Sequence, residues 1–216
     1  MASEEITEKL QQGLDQLDLT LTGHQKAQLL AYLDLLGKWN KAFNLSGVKD
    51  SSEMLSRHLL DSLTLVPFIS GSRILDVGTG PGLPGIPLAI CFPEKTFVLL
   101  DSNGKKTRFV FQATLQLGLA NVEVQNARIE KYQCSEPIDV ILCRALSSLA
   151  DLVNMTRHLS KRSDSKHRSR IIAMKGLYPV DELALLPSDF ELVGAKKVDV
   201  PGNTGERHII EIFASE

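Results

Sequence analysis

Four glycines follow a short apolar segment within eight residues, in the run ILDVGTGPGLPG at residues 74–85. Residues Arg73–Val77 have the apolar character of a buried strand. Glycine lets the backbone turn sharply and lets a ligand approach it closely. The run therefore predicts the first strand and loop of a nucleotide-binding α/β sheet.

The spacing within residues 80–85 matches G-x-G-x-x-G, which is also found in dinucleotide-binding loops. Two features argue against a diphosphate ligand. Asp76 puts a negative charge at the end of the strand, and Pro84 and Pro87 remove backbone N–H donors where a helix N-terminus would hold phosphate. The alternative function is that of an NAD(P)-dependent oxidoreductase.

S-adenosylmethionine (SAM) carries no phosphate and would bring a sulfonium and an ammonium group near the loop. An acid followed by spaced glycines fits it better, and we expect Asp76, Gly78 and Gly80 to bind it. A second apolar strand, 96–100, ends at Asp101, about twenty residues past the loop, where a carboxylate can accept both ribose hydroxyls. The other possible role of Asp101 is to cap the next helix.

The pattern of apolar residues predicts two regions. Residues 1–68 have helical spacing and are predicted to form an N-terminal helical cap. Residues 69–216 alternate strand and helix through five strands and close with two strands too near in sequence for a helical crossover. We therefore predict a Rossmann-like, SAM-dependent methyltransferase sheet, mostly parallel, with one antiparallel closing strand.

Composition excludes several classes of protein. In 216 residues there is no apolar run of about eighteen, so no membrane span is expected. The acidic, amphipathic N-terminus lacks the features of a signal peptide, which predicts a cytoplasmic protein. Three cysteines without C-x-x-C spacing predict neither disulfides nor a metal site. The net charge of −2 gives no overall signal for a nucleic-acid partner.

Residues just past the strand ends are the candidates for function, because ligands bind at the carboxyl ends of strands in an open α/β sheet. Ile129 and Glu130 follow the third strand and could flank an adenine, or could simply begin a surface helix. Arg144 follows the fourth strand at the mouth where a methyl acceptor enters. Its alternative role is a salt bridge with Asp76 or Glu130.

The sequence lacks the motifs that are typical of methyltransferases acting on two other kinds of base atom. Arg144 and the two residues after it stand where an adenine amino-group methyltransferase has Pro-Pro-aromatic, and Cys143 has no preceding Pro as in cytosine ring-carbon enzymes. A ring nitrogen already carries a lone pair, so catalysis reduces to alignment and exclusion of water. We therefore predict no dedicated catalytic residue.

Seven segments can be read together: 36–41, 44–46, 57–62, 76–89, 100–102, 105–106 and 205–208. Together they closely resemble the bacterial small-subunit ribosomal RNA guanine-N7 methyltransferases, also called the glucose-inhibited division protein B family. The resemblance covers nearly the whole chain. It implies a SAM-dependent enzyme that methylates nitrogen-7 of one guanine in 16S rRNA, acting on free rRNA or on the 30S subunit, and we expect a monomer.

The resemblance also assigns residues by motif position. It implies SAM contacts at Gly78, Leu83, Ile129, Glu130 and Arg144, in agreement with Asp101. It implies RNA contacts at Lys105, Lys106, Arg128, Lys175 and Arg207, with Arg144 serving both ligands. The third helix carries His58 and Asp61 on one face, where they would line the pocket or form a buried hydrogen bond from helix to sheet.

Two departures from the family pattern stand out. Ser46 replaces the more usual Thr, and the link 159–170 is longer and more basic than expected. Its five cations would add phosphate contacts or form a solvated loop: Lys161, Arg162, Lys166, Arg168 and Arg170. A non-catalytic RNA-binding or assembly factor on a degenerate methyltransferase fold is the remaining alternative, against which the intact glycine loop and Asp101 argue.

Overall fold

A computed structural model describes residues 3–144, 147–160 and 168–215 of the chain. Its centre is one seven-stranded sheet with the strand order β3-β2-β1-β4-β5-β7-β6. The strands are β1 (Arg73–Val77), β2 (Thr96–Asp101), β3 (Val122–Asn126), β4 (Val140–Arg144), β5 (Arg170–Lys175), β6 (Phe190–Lys197) and β7 (His208–Ala214).

The first five strands pair in parallel, and β7 runs antiparallel to both of its neighbours. This confirms the predicted fold class, including the single antiparallel strand near the end of the chain. The strand order reverses between β1 and β4, which opens a crevice at their carboxyl ends. The glycine-rich run lies directly above that crevice.

The apolar side chains of the sheet divide between its two faces because successive residues of a strand point in opposite directions. On one face, Ile74, Leu99 and Leu142 belong to a core shared with the N-terminal helices. On the other face, Leu75 and Ile141 belong to a second core. The face to which a polar side chain points at a strand end therefore decides which helices and partners it meets.

The helices cover both faces. One face carries α1 (Glu4–Gln16), α2 (Gly23–Phe43), α5 (Gly85–Cys91) and α6 (Gly104–Leu117), and the other carries α7 (Leu149–Ser160) and the short α8 (Val180–Ala184). Thr22 and Gln25 form the predicted capping box of α2. The helix α8 was not predicted from the sequence.

Residues 51–68 form a continuous but irregular helical segment. It runs through α3 (Ser51–Met54), a π-helical stretch (Leu55–Leu60), α4 (Asp61–Leu63) and a 3₁₀ turn (Val66–Phe68). Asp50 caps it, since its Oδ1 accepts the Glu53 N–H at 2.9 Å. The wide π turn is a local feature that helical periodicity does not predict, and such turns are frequent at functional sites.

The helical residues before β1 share one continuous core with the sheet, α5 and α6. The division into a cap at residues 1–68 and a domain at 69–216 stays a prediction. In the described part of the chain, no helix is both long and apolar enough to span a membrane.

Candidate active site

A cavity of about 900 Å³ lies at the carboxyl ends of β1, β2, β3 and β4. Its volume is within the range of small-molecule sites. Ten of the thirteen residues proposed from the sequence line it: Gly78, Gly80, Leu83, Asp101, Lys106, Arg128, Ile129, Glu130, Arg144 and Arg207. The cavity therefore brings together seven of the eight predicted cofactor residues and four of the predicted RNA residues, with Arg144 counted in both groups.

The glycine loop is shaped by positive φ angles and by bonds to the next strand. Gly78, Gly80 and Gly82 have φ values of 68°, 60° and 94°, which favour glycine. The N–H groups of Gly78 and Thr79 both donate to Leu100 O, at 2.8 and 3.0 Å. The loop is thereby folded back over β2.

Asp76 supports this loop from behind. Its side chain is fully buried, and its Oδ2 accepts the Thr79 hydroxyl at 2.6 Å and the Gly85 N–H at 2.9 Å. Burial raises the pKa of Asp76 to about 6, although the two hydrogen bonds oppose the shift. Among the residues that the structure describes, those lining the cavity do not include Asp76.

The reason is the alternation along β1. Asp76 points to the same face of the sheet as Ile74, under the start of α5, because side chains two apart lie on one side of a strand. Asp76 was predicted to contact the cofactor, whereas in the structure its carboxylate holds the glycine loop. Its Oδ1 is buried without a hydrogen-bond partner.

The start of α5 leaves no backbone donor for a phosphate. Gly85 N–H donates to Asp76, Ile86 N–H donates to Gly82 O at 2.8 Å, and Leu88 N–H donates to Pro84 O at 3.2 Å. Pro87 has no N–H. This geometry agrees with the expectation that the loop does not bind a diphosphate, since phosphate sites at helix starts need free amides.

Asp101 lies at the end of β2 with its carboxylate at the cavity. Its Oδ2 accepts the Gly80 N–H at 2.9 Å, and its Oδ1 accepts the Asn103 N–H at 2.8 Å. Helix α6 is capped by Asn103, whose side chain accepts from Lys105 N and Lys106 N. Capping is therefore not the task of Asp101, which is left to face the cavity.

The far wall of the cavity combines two elements. Ile129 and Glu130 begin a 3₁₀ turn (Ile129–Lys131), with Ile129 buried and Glu130 exposed. Helix α7, which packs against this turn, contributes Asp151, Asn154 and Met155. The residues from α7 were not predicted, because in this part of the chain only Arg144, at the end of β4, was taken as a candidate.

Arg144 and Arg207 meet at one buried carboxylate. Arg144 Nη1 donates to Asp61 Oδ2 at 3.1 Å, and Arg207 Nε donates to Asp61 Oδ1 at 2.6 Å. Asp76 and Glu130 were predicted as salt-bridge partners of Arg144, and this prediction is wrong. Side chains two apart on β4 share a face, so Arg144 points with Leu142 toward the helices before β1 and finds Asp61 there.

His58 lines the cavity beside these arginines. Its Nε2 lies 2.5 Å from Ser46 Oγ and its Nδ1 lies 3.1 Å from Arg57 O. The carbonyl can only accept, so Nδ1 carries the proton and Nε2 accepts from the serine hydroxyl. Burial, together with the nearby Arg144, lowers the pKa of His58 to about 4, which keeps the ring neutral.

The remaining basic residues divide into two groups. Lys106 and Arg128 line the cavity, whereas Lys105 is exposed on the first turn of α6, outside its lining. Lys175 Nζ bonds Glu182 Oε2 at 2.7 Å and Ser147 O at 2.9 Å. It points to the face of the sheet covered by α7 and α8, so the unpredicted helix α8 supplies its partner.

The long basic link lies mostly outside the described residues, including Lys161, Arg162 and Lys166. Arg170 is described, and its guanidinium bonds Glu211, Phe68 O and Ser70. Arg168 donates to Ala214 O at 3.2 Å. Arg170 begins β5 and Arg168 lies two residues before it, at the end of the strand opposite to the cavity, so the structure does not favour the alternative in which these two residues contact phosphate.

Comparison with known proteins gives a consistent result. A family model described as rRNA small subunit methyltransferase G matches residues 25–210. The chain is 52% identical over 210 residues to the ribosomal RNA small subunit methyltransferase G of Pseudomonas syringae pv. tomato, with 97% of each chain covered. It is 54% identical over 205 residues to that of Ectopseudomonas mendocina, with 94% of each covered.

Solved structures resemble the chain in fold. M. capricolum TrmK in complex with S-adenosyl-homocysteine aligns with a TM-score of 0.52 at 14% identity, over 72% of this chain and 69% of that chain. A SAM-dependent methyltransferase from Aquifex aeolicus aligns with a TM-score of 0.52 at 17% identity, over 75% and 93%. The family predicted by resemblance is confirmed by the family model and the two relatives: the chain belongs to the ribosomal RNA small subunit methyltransferase G family.

Proposed function

We propose that this protein transfers a methyl group from SAM to nitrogen-7 of a guanine in 16S ribosomal RNA. Family membership supports the reaction class, because the curated relatives carry the name of a ribosomal RNA methyltransferase. The observation that carries the proposal is the cavity itself. It is lined by the glycine loop and the acids Asp101 and Glu130, together with Arg144 and Arg207, which Asp61 holds.

The residues present fit SAM better than a dinucleotide. The start of α5 has no amide left for phosphate, while space is open above Gly80, where the nearest atoms to an added Cβ would be 3.9 and 4.0 Å away. In this proposal Gly78, Gly80 and Leu83 hold the methionine part. Asp101 binds the ribose, and Ile129 and Glu130 flank the adenine. When bound, SAM supplies an electrophilic methyl group.

The chain's own residues then have to align the acceptor and exclude water. Guanine nitrogen-7 has a lone pair in the ring plane and loses no proton when it attacks, so no general base is needed. His58 fits this role as a neutral wall of the pocket, since its pKa of about 4 makes it a poor proton acceptor at neutral pH. We therefore assign no catalytic acid or base.

The basic residues would hold the RNA. Lys106, Arg128, Arg144 and Arg207 line the cavity and are proposed to contact phosphates near the target guanine. Lys105 would contribute from the exposed surface beside them. Lys175 remains in the proposal only as a weaker contributor, because it is already paired with Glu182.

The substrate form, assembly state and location are proposed with the function. The acceptor is either free 16S rRNA or the 30S subunit, the enzyme acts as a monomer, and it works in the cytoplasm where ribosomes are assembled. Asp76 would influence SAM binding through the glycine loop, which it holds by two hydrogen bonds.

The deciding experiment incubates the protein and labelled SAM with 30S subunits lacking the modification and, separately, with free 16S rRNA. We expect one methyl per RNA, mapped by mass spectrometry to nitrogen-7 of a single guanine. Asp101→Ala is the matched loss-of-cofactor variant and should incorporate far less label. Absence of label from both RNAs, or a methyl on a different atom, would contradict the proposal.

A thermal-shift titration tests the two alternatives from the sequence. A ligand stabilises only the fold that binds it, so S-adenosylhomocysteine should raise the melting temperature and NAD should not. Stabilisation by NAD alone would favour an oxidoreductase. Stabilisation by neither ligand, together with RNA binding, would favour a non-catalytic RNA-binding factor.

A further inference from the structure

Asp61 is a fully buried carboxylate whose two oxygens bond two different arginines. The side chain has 0% exposure, and it accepts from Arg207 Nε at 2.6 Å and from Arg144 Nη1 at 3.1 Å. Arg144 Nη1 also donates to Arg57 O at 3.3 Å. The partners come from three distant parts of the chain: α4, the end of β4 and the segment just before β7.

Both arginines also line the cavity, where their side chains are 16% and 20% exposed. Arginine has many rotamers, and ordering such a long side chain on binding costs conformational entropy. A side chain that is already fixed by a buried carboxylate loses less freedom when a ligand arrives. The bridge thus orders both guanidinium groups in the protein without a ligand.

The local backbone places this carboxylate and its neighbours. The π-helical stretch Leu55–Leu60 ends directly before Asp61, and within it Arg57 turns its carbonyl to Arg144. Asp61, Arg144 and Arg207 together carry a net charge of +1 beside the cavity. This charge and the fork of an arginine suit an anion such as an RNA phosphate.

We infer that Asp61 is the positioning residue for the RNA substrate, because it fixes Arg144 and Arg207 as one two-armed site for a phosphate of the acceptor nucleotide. The inference rests on the proposed function and extends it to a residue that contacts no ligand. A purely structural role is the competing account, in which Asp61 only attaches the helical segment to the sheet.

The positioning role, a purely structural role and simple electrostatics predict different effects of Asp61→Asn on RNA affinity. Removing a negative charge beside an RNA site should tighten RNA binding if charge alone matters. The positioning role predicts the reverse, with an RNA dissociation constant raised about tenfold, since the arginines lose a charge-assisted partner and their fixed orientation. A structural role predicts lower stability with unchanged RNA affinity in the folded protein.

The experiment measures RNA dissociation constants, KM and kcat for the full chain, with a 16S rRNA fragment as the probe. Asp61→Glu keeps the charge but lengthens the side chain, and it should also raise KM for RNA with a smaller change in kcat. Ser62→Ala is the matched control. Ser62 is equally buried in the same helix, but its hydroxyl donates to His58 O at 2.6 Å and does not contact either arginine. It should leave RNA affinity unchanged.

A measurement on the unaltered protein covers the case in which the Asp61 variants do not fold. In arginine-labelled protein, the Arg207 Nε–H should exchange slowly with solvent before RNA is added, because it is already bonded. Exchange as fast as in free arginine, slowing only with RNA, would overturn the inference. So would folded Asp61→Asn or Asp61→Glu that binds RNA as tightly as the unaltered protein.

These outcomes can be told apart from failure of the proposed function. Unaltered protein that binds no RNA and transfers no methyl contradicts the function. If the unaltered protein methylates RNA but the Asp61 variants bind it normally, only the positioning role is lost.

Discussion

Replacement of Gly85 by alanine tests how the cofactor loop is supported. Gly85 has no positive φ, so its need for glycine comes from space alone. A Cβ at this position would overlap Leu99 Cδ2 and would lie 2.8 Å from Asp76 Oδ2. Leu99 and Asp76 are themselves fully buried, so neither can move into solvent.

The size of the effect follows from these two contacts. Overpacking a buried site destabilises by about 1–3 kcal/mol. Displacing the Asp76 carboxylate would also weaken its bonds to Thr79 and to the Gly85 N–H. We expect Gly85→Ala to lower the free energy of unfolding by about 2–3 kcal/mol, equivalent to about 4–12 °C in melting temperature for a chain of this size.

The assay is chemical denaturation of the free protein, followed by calorimetric titration with S-adenosylhomocysteine. Affinity should fall as well, because the loop that lines the cavity is held by the displaced carboxylate. Gly37→Ala is the control: Gly37 is inside α2 with no atom within 4 Å of an added Cβ, and alanine there should stabilise by about 0.5–1 kcal/mol.

Leu99→Val, which removes both Cδ atoms, should recover part of the loss when it is combined with Gly85→Ala. The coupling in such a double-mutant cycle measures the overlap directly. Gly85→Ala with unchanged stability and unchanged affinity would refute the reasoning, because the space argument leaves no room for a methyl group.

Four further predictions follow from the site. Tyr32→Phe removes the donor to Pro81 O, a buried bond of 2.8 Å, and should cost about 1–3 kcal/mol in denaturation and weaken S-adenosylhomocysteine binding in calorimetry. The pKa of His58 is lowered from 6.5 to about 4, so the unfolded chain binds the extra proton and stability should fall by about 3 kcal/mol as pH drops through that window; His58→Gln should flatten this part of the denaturation-versus-pH curve. The pH dependence from Asp76 has the opposite direction, because the pKa of its carboxyl group is raised from 3.8 to about 6. Its contribution to stability is full below pH 4 and is lost, by about 3 kcal/mol, as pH rises to 6. Asp76→Asn should remove that loss from the denaturation-versus-pH curve. Lys106→Ala should weaken RNA binding and reduce its salt dependence more than Lys175→Ala, and equal effects in a filter-binding titration would contradict the placement of the two lysines.

The strands along the chain and the site at their ends could be predicted because the signals are local. Each buried strand is visible as an apolar run, and the polar residue that ends it lies at the cavity edge, as for Asp101 and Arg144. The sharp turn at the loop glycines could be predicted for the same reason. Their positive φ values belong to a turn encoded within a few residues.

The partners of those residues could not be predicted, because they depend on which face a side chain points to and on what covers that face. Asp76 and Arg144 point toward the helices before β1 and α5, whereas Lys175 points toward α8. Pairing Arg144 with Asp61 requires a contact between residues 83 positions apart. No local pattern specifies such a contact, and the π turn beside Asp61 has no clear periodic signature.

Tyr32 gives the glycine loop a dependence on the earliest part of the chain. Its phenol crosses from α2 to Pro81 in a fully buried bond, and burial pushes the pKa of the hydroxyl well above its usual range, so it remains a donor at any physiological pH. A fragment starting at residue 45 would keep every described residue that lines the cavity, but it would lack that donor and would expose the apolar face now covered by α1 and α2. Truncation from the N-terminus should therefore abolish cofactor binding before it removes any residue that lines the pocket.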